Sequence, residues 1–314
     1  MNIQTSKAVV RIKIAGVGGG GTNAVNRMIK LGIPAAQYIS INTNDAAVQK
    51  SQAKTKIQIG RHTVQGRGAG ANPQNGKRAA EESRKEIEEA IRDCDMLFIT
   101  AGMGGGTGTG AAPVVAKIAR KLGILTVAVV TKPFLFEGKK RMENALAGIA
   151  EMGKFADGLI VIPNDNLKHV TAVRLTIGIA FALADDVLMQ TVRNLVDIMQ
   201  QTAYINCDFA DVCSIIRDAG TMHIATAQAS GTDREDKMIA NLKANVLLGS
   251  SVKDATRVLL YITAAETVKL EEIDAISSAI SSAADPSANI IFGMNFEPTQ
   301  TDELKAILIA AHGK

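Results

Sequence analysis

The sequence predicts an α/β fold: a doubly wound parallel sheet, then one long helix, then a smaller α+β domain with a mixed sheet. Three observations carry this. Short apolar, β-branched runs alternate with helical stretches from residue 9 to residue 162, the order that builds a parallel sheet covered on both faces. Two glycine-dense turns, at 16–21 and 102–110, each join such a run to a helix. Residues 175–201 then hold no proline and carry a helical apolar stripe (Leu175, Ile179, Leu183, Val187, Leu188, Val192, Leu195, Val196, Met199). About 25 helical residues span roughly 38 Å, the reach of a helix joining two domains.

At 314 residues the chain has room for two domains and a large core. Its 46% hydrophobic and 21% charged content is that of a soluble globular protein. No apolar run approaches membrane-spanning length, and the first residues lack the apolar core of a secretory signal. Cys94, Cys207 and Cys213 show neither a disulfide framework nor metal spacing, and the histidines at 62, 169, 223 and 312 are scattered. A reducing, cytoplasmic setting is expected. The net charge of +4 includes basic groups at Lys117, Arg120, Lys121 and at Lys139, Lys140, Arg141. Neither group is interleaved with aromatics, so nucleic acid is not an expected partner.

Residues 9–15 read as the first strand and lead into G-V-G-G-G-G-T-N-A-V-N-R-M-I at 16–29. Gly16, Gly18 and Gly21 satisfy the G-x-G-x-x-G spacing of dinucleotide sites. A second strand at 37–41 is followed by Asp45, 24 residues beyond Gly21, near where a ribose-binding acid sits. An NAD-dependent oxidoreductase is therefore one reading of this region. Residues 60–76 form a long loop rich in Gly, Asn and Pro, a length that is usually functional or disordered. Residues 77–93 read as a charged helix whose buried stripe is Ala80, Ile87, Ala90 and Ile91.

The second glycine turn, G-M-G-G-G-T-G-T-G at 102–110, follows a strand at 96–100 and opens a helix with an early proline, Pro113. Backbone N–H groups in such a turn can approach an anion with no Cβ in the way, and the positive end of the helix dipole adds to the attraction. Thr107 and Thr109 bring hydroxyls that can reach phosphate oxygens or a metal-bound water. No Lys-Ser/Thr pair closes the turn, so it is not a Walker A loop. Two phosphate-cradling turns in one sheet suit a nucleoside triphosphate better than a dinucleotide.

Residues 124–131 read as a central parallel strand. T-K-P-F-L-F-E-G-K-K-R at 131–141 lies at its carboxyl end, where open α/β sheets bind ligands. Glu137 and Arg141 stand four apart, as a surface ion pair or as ligand contacts. A strand at 158–162 ends in P-N-D at 163–165. Phe181 and Asp185 also stand four apart. The ring could stack on a base and the carboxylate could accept from N1 and N2 of guanine, a donor pair adenine lacks; core packing is the alternative for Phe181. In N-C-D-F-A-D-V at 206–212, Asp208 reads either as a helix N-cap or as a functional carboxylate. Strands at 257–263, 289–293 and 306–311, with helices near 209–219, 234–244 and 270–283, complete the chain.

The run 101–113, A-G-M-G-G-G-T-G-T-G-A-A-P, resembles the signature of the tubulin/FtsZ superfamily of GTPases, and most nearly the bacterial-type FtsZ group that serves cell division. The similarity extends from about residue 10 to about residue 311. It implies a GTP-binding domain at 1–170, a central helix at 171–202 and a C-terminal activation domain at 203–314. It also implies that Gly19, Gly20, Gly21, Thr22 and Asn23, with Gly105, Gly106, Thr107, Gly108 and Thr109, hold the phosphates of GTP or GDP. Residues 68–73 then sense the γ-phosphate, Glu137, Arg141 and Asn164 reach the ribose and guanine side, and Phe181 and Asp185 contact guanine. Asn206, Asp208 and Asp211 match the loop that supplies the family's catalytic side chains. Mg²⁺ is the implied metal, held by phosphates and waters with no dedicated protein ligand. Three places depart from the family: Asn44 stands where Asp is usual, 220–231 lacks the usual glycine pattern, and Ala264-Ala265-Glu266 replaces a glycine pair.

Asp208 follows Phe181 by 27 positions, most of them helical, so the base end and the carboxylate end lie roughly 35 to 40 Å apart. Asp208 cannot reach a nucleotide on its own subunit's glycine turns and is expected to act on a neighbour's. A head-to-tail contact of that kind gives a filament. The expectation is a polymerising GTPase whose partners are its own copies and division-machinery proteins. A divergent nucleotide-binding scaffold with weak hydrolysis is the alternative. The oxidoreductase reading is the more distant one, because no hydride-transfer constellation follows the fingerprint.

Overall fold

The computed structural model describes residues 10–33, 36–169, 176–200, 203–243, 252–297 and 302–313. Strands β1 (Ile12–Val17), β2 (Ala36–Asn42), β3 (Thr55–Gln58), β4 (Met96–Gly102), β5 (Leu125–Lys132) and β6 (Gly158–Pro163) form a parallel sheet in the order β3-β2-β1-β4-β5-β6. Side chains alternate between its two faces. Met96, Phe98, Val127 and Val129 enter one core, whereas Leu97, Ile99, Ala128 and Val130 enter another. Because both faces are covered, these strands read as continuous apolar runs.

Helices α1 (Gly18–Leu31), α7 (Ile177–Gln200) and α8 (Phe209–Ile216) cover the first face. α3 (Pro73–Glu82), α4 (Arg84–Ile91), α5 (Thr107–Lys121) and α6 (Lys139–Met152) cover the second, and α2 (Asp45–Lys50) follows β2 at the sheet's edge. Asn44 caps α2, its side-chain oxygen accepting from the Ala47 N–H at 2.9 Å. Asn caps as well as Asp does, so that departure from the family costs the helix little.

Three expectations are corrected. The single helix expected over 77–93 starts earlier, at Pro73, and breaks at Ser83. The buried Ser83 hydroxyl accepts from the Gly60 N–H at 3.2 Å, and Glu82 accepts from the N–H groups of His62 and Thr63 at 2.9 Å. The break thus tethers the long loop. The stripe on α7 holds from Leu188 onward, but its first turns bury Ala180 and Ala184 and leave Ile177 and Ile179 exposed. Leu175 lies outside the described residues. Beyond α7 three strands were expected, and the described residues hold a fourth, over 220–230.

That strand, β7 (Gly220–Ser230), joins the two halves of the chain. It pairs in parallel with β6 at Gly220 and Thr221, then antiparallel along β10 (Glu303–Ala311). β10 pairs with β8 (Arg257–Ala264), which pairs in parallel with β9 (Asn289–Phe296), so ten strands make one mixed sheet. α9 (Arg234–Lys243) and α10 (Leu270–Ser281) cover its C-terminal part over a third core. Arg234, at the start of α9, donates to both Glu272 oxygens at 2.6 and 2.9 Å and to Asp302 at 3.0 Å. Arg234 and Glu272 are each only about a tenth exposed (10% and 12%). Arg234→Ala leaves the charge of Glu272 without its ion-pair partner, only the Lys269 N–H still donating to it, and is expected to cost about 3 kcal/mol in a urea titration. A loss under about 1 kcal/mol would mean that water reaches Glu272 freely.

Candidate functional site

In the order β3-β2-β1-β4-β5-β6 the winding reverses between β1 and β4, and ligands of open α/β sheets bind outside the carboxyl ends of the strands at that point. Both glycine turns are there. Each strand passes almost directly into its helix, β1 into α1 at Gly18 and β4 into α5 after four intervening residues. Gly18 takes φ +73°, and a Cβ on it would press on the Gly108 N at 2.7 Å; a Cβ on Gly20 would stand 3.2 Å from the Gly102 N. The two turns therefore touch backbone to backbone. Gly19 and Gly105 instead face open space. The helix N-termini of α1 and α5 thus lie side by side, a cradle for an extended anion.

The remaining predicted residues of this end are arranged around the cradle. The loop before α3 closes one side: a Cβ on Gly106 would meet Ala69 Cβ at 2.7 Å and Asn72 N at 3.0 Å. Gly104 lies against the Arg141 side chain and Pro133. Thr22 is buried, its hydroxyl 3.2 Å from that of Ser40, while Asn23 is exposed on α1. Thr107 Oγ1 lies 2.6 Å from Thr43 Oγ1. Thr109 is buried and its hydroxyl accepts from the Gly104 N–H at 2.8 Å, so it shapes the turn itself.

Glu137 and Arg141 form an ion pair at 3.0 Å, and Glu137 also accepts from the Phe134 N–H at 2.9 Å. They belong to different elements, Glu137 ending a 3-10 turn (Leu135–Glu137) and Arg141 lying in α6. Asn164 is buried with its Oδ1 unpaired, an acceptor that a ligand donor could satisfy. Phe181 packs edge-on against Phe134, ring centroids 5.4 Å apart, and still exposes 40% of its surface. Packing and an open face coexist there. Asp185 is pushed up to about 6, first by burial and then by the neighbouring Asp186, with Arg27 opposing both. Two contributors were missed in the sequence. Arg27 of α1 pairs with Asp186 of α7, beside Asp185, and Thr43 meets Thr107. Neither shows any spacing signal, since partners 159 and 64 residues apart are joined only by the fold.

Asn206, Asp208 and Asp211 are not at this end. They follow the carboxyl end of α7, whose 24 residues span about 36 Å. Asn206 accepts from the Ala203 N–H at 2.9 Å. Asp208 is the N-cap of α8: its Oδ1 accepts from the Asp211 N–H at 2.9 Å, and Asp211 Oδ2 accepts in return from the Asp208 N–H at 3.0 Å. The reciprocal pair fixes both carboxylates in place and uses one oxygen of each. Tyr204 and Ile205, just before this turn, are exposed apolar residues. The cradle end carries its own exposed apolar residues, Leu135, Phe136, Ile177 and Ile179.

Comparison with known proteins bears on both halves. Residues 11–172 match the tubulin/FtsZ family GTPase domain, and residues 220–313 match the FtsZ family C-terminal domain. An FtsZ dimer from M. jannaschii superposes with a TM-score of 0.89 at 38% identity, covering 98% of this chain and 89% of that one. A W319Y mutant of FtsZ from the same organism gives 0.88, again at 38% identity, covering 96% and 91%. CetZ2 from Haloferax volcanii, solved as a GTPγS-bound protofilament, gives 0.80 at 19% identity over 96% and 92%, a likeness of fold.

Proposed function

The chain belongs to the tubulin/FtsZ family, and on that premise we propose that it binds and hydrolyses GTP and polymerises head-to-tail, completing each active site at the junction of two subunits. The observation that carries this reading is the separation of the cradle from Asp208 and Asp211 by the length of α7. Exposed apolar residues at both ends of that helix supply two unlike surfaces for a heterologous contact, which extends without closing. The relatives solved as an FtsZ dimer and as a CetZ2 protofilament support self-association, and cell division is the process in which the reading places it.

In this reading Gly19, Gly20, Gly21, Gly105, Gly106 and Gly108 offer backbone N–H groups to the phosphates, with Thr22, Asn23, Thr107 and Thr109 shaping or lining the cradle. Bound Mg²⁺ would neutralise phosphate charge, and the cradle fits it as an ion carried mainly by phosphate oxygens and water. Arg141, held by Glu137, and Asn164 serve the ribose and base side, and Phe181 offers its open face to guanine. Asp208 and Asp211 of the next subunit polarise the attacking water, with Asn206 beside them. The water adds to the γ-phosphorus, the bond to the β-phosphate oxygen breaks, and GDP and phosphate leave.

The decisive experiment measures GTP turnover per subunit against protein concentration. Turnover is expected to rise steeply once filaments form; a rate per subunit that stays flat across that range would end the shared-site reading. The capped state of Asp208 and Asp211 favours a second reading, a scaffold that binds nucleotide and hydrolyses it poorly. It predicts filaments with a flat, low rate.

Specificity should depend on pH. Guanine N1 and N2 donate to the ionised Asp185, and burial holds that carboxyl protonated until about 6 in the free chain. Affinity for GDP is therefore expected to fall as pH drops through about 6, and proton release on binding to appear in the same window. In the nucleotide-free chain the sign is opposite: the raised value favours folding below its ordinary range, and that contribution is lost as pH rises through about 6. Asp185→Asn should flatten the affinity profile. An unchanged profile in that variant would remove Asp185 from the base site.

A further inference from the structure

We propose that His223 and His312 form a binding site for a single late first-row divalent ion (nickel, copper or zinc) at the seam where β7 leaves β6. Nothing in the nucleotide reading uses these two residues. His223 stands in β7 opposite Ala310 of β10. His312 lies two residues beyond that partner, so both imidazoles rise from the same face of adjacent antiparallel strands. Their ring centroids are 5.2 Å apart with the planes at 60°. A tetrahedral ion bound at about 2.1 Å by each ring needs nitrogens roughly 3.4 Å apart and ring centroids roughly 5 Å apart, the centroid separation that these rings have.

The pair opens into a hollow of about 370 Å³ lined also by Gly153, Leu159, Gly220, Thr221 and Gly313. Three of those five are glycines, so the space beside the rings is free of side-chain bulk. The lining side chains offer imidazole nitrogen and the Thr221 hydroxyl, with no carboxylate. Such a donor set suits nickel, copper and zinc and is poor for magnesium and calcium, which prefer anionic oxygen. Among the described residues no group of three His, Cys, Asp or Glu forms. The ion would keep positions for water and exchange readily, unlike a closed structural centre. Leu159 belongs to β6 of the parallel half, Gly153 ends α6 and His312 follows the last strand, so an ion here would brace the seam between the halves.

The test is isothermal titration of the chelator-treated, nucleotide-free full chain with nickel and zinc chloride, in excess magnesium and at a pH above the histidine range. One saturable equivalent is expected, unaffected by magnesium, with a matching rise in Tm. His312 is exposed and lies beyond the strand, so His312→Ala should fold normally and weaken binding at least about tenfold. His223→Gln should do the same, while His62→Ala, on the distant loop, should leave binding intact. No saturable equivalent, or one that survives His312→Ala, overturns the proposal. Should His223→Gln fold poorly, His312→Ala alone decides.

Discussion

Asp208→Asn is expected to leave the fold and GTP affinity nearly unchanged while lowering GTP hydrolysis by roughly two to four orders of magnitude, the scale of a lost general base. Asn separates the observed cap from the proposed catalytic role of Asp208. As the cap of α8 it accepts from the Asp211 N–H, and Asn caps equally well, so stability should hold. Asp208→Ala removes the cap as well and is expected to lose about 1 kcal/mol in addition. What Asn cannot supply is the negative charge that, in the proposed mechanism, polarises water beside a neighbour's phosphate. A mixing experiment then tests the geometry. Thr107→Arg, at the mouth of the cradle, should block nucleotide binding while its own Asp208 stays intact. Neither variant should turn over GTP alone. Mixed, they should recover part of the activity, because nucleotide on the first meets the carboxylate of the second. Hydrolysis at the parent rate by Asp208→Asn would reduce the residue to a helix cap.

Gly110→Ala is expected to produce the largest structural effect of a single methyl group, at least about 3 kcal/mol in denaturant and a parallel loss of GTP affinity. A Cβ on Gly110 would strike the Pro73 carbonyl and come within 2.7 Å of the Lys77 N. Both are backbone atoms of α3, so no flexible side chain can move aside and the whole helix must shift. Because α3 begins at Pro73, its displacement drags residues 69–72, which close the cradle against Gly106. Gly153→Ala provides the control. Its Cβ would meet its nearest neighbours at 3.6 Å, ordinary contact, and its backbone is already helical. That variant should change stability by less than about 1 kcal/mol. Equal effects at the two positions would refute the close approach of α3 to α5.

The parallel sheet was legible because strands buried on both faces, such as β4 and β5, leave an unbroken apolar record. β7 was not, since Thr, His, Ala, Gln and Ser fill it and only its pairing with β10 makes it extended. β3, four residues of T-K-I-Q, was too short and too polar to see. The break at Ser83 depends on a bond to Gly60, and helical spacing has no term for such a tertiary tether. In the site, both glycine turns were visible because backbone contact demands glycine at fixed positions. Arg27 and Thr43 were invisible because their roles exist only once α1, α7 and α5 are assembled. Phe181 and Asp208 each carried two readings in the sequence; the structure shows the ring packed with 40% of its surface exposed and the carboxylate capping α8, and their nucleotide roles are proposals.

The length of α7 has a consequence of phase. Each residue inserted into it would carry the far carboxylates about 1.5 Å along the axis and turn them by about 100°. A single insertion leaves their height nearly right and their azimuth wrong. Seven restore the azimuth to within about 20° but lengthen the helix by roughly 10.5 Å. No short insertion satisfies both conditions, so in a filament built head-to-tail this helix acts as a gauge that sets the rise and the rotation between successive subunits together. A short insertion in it would therefore have to be matched by rebuilding both ends of the molecule to keep the same contact.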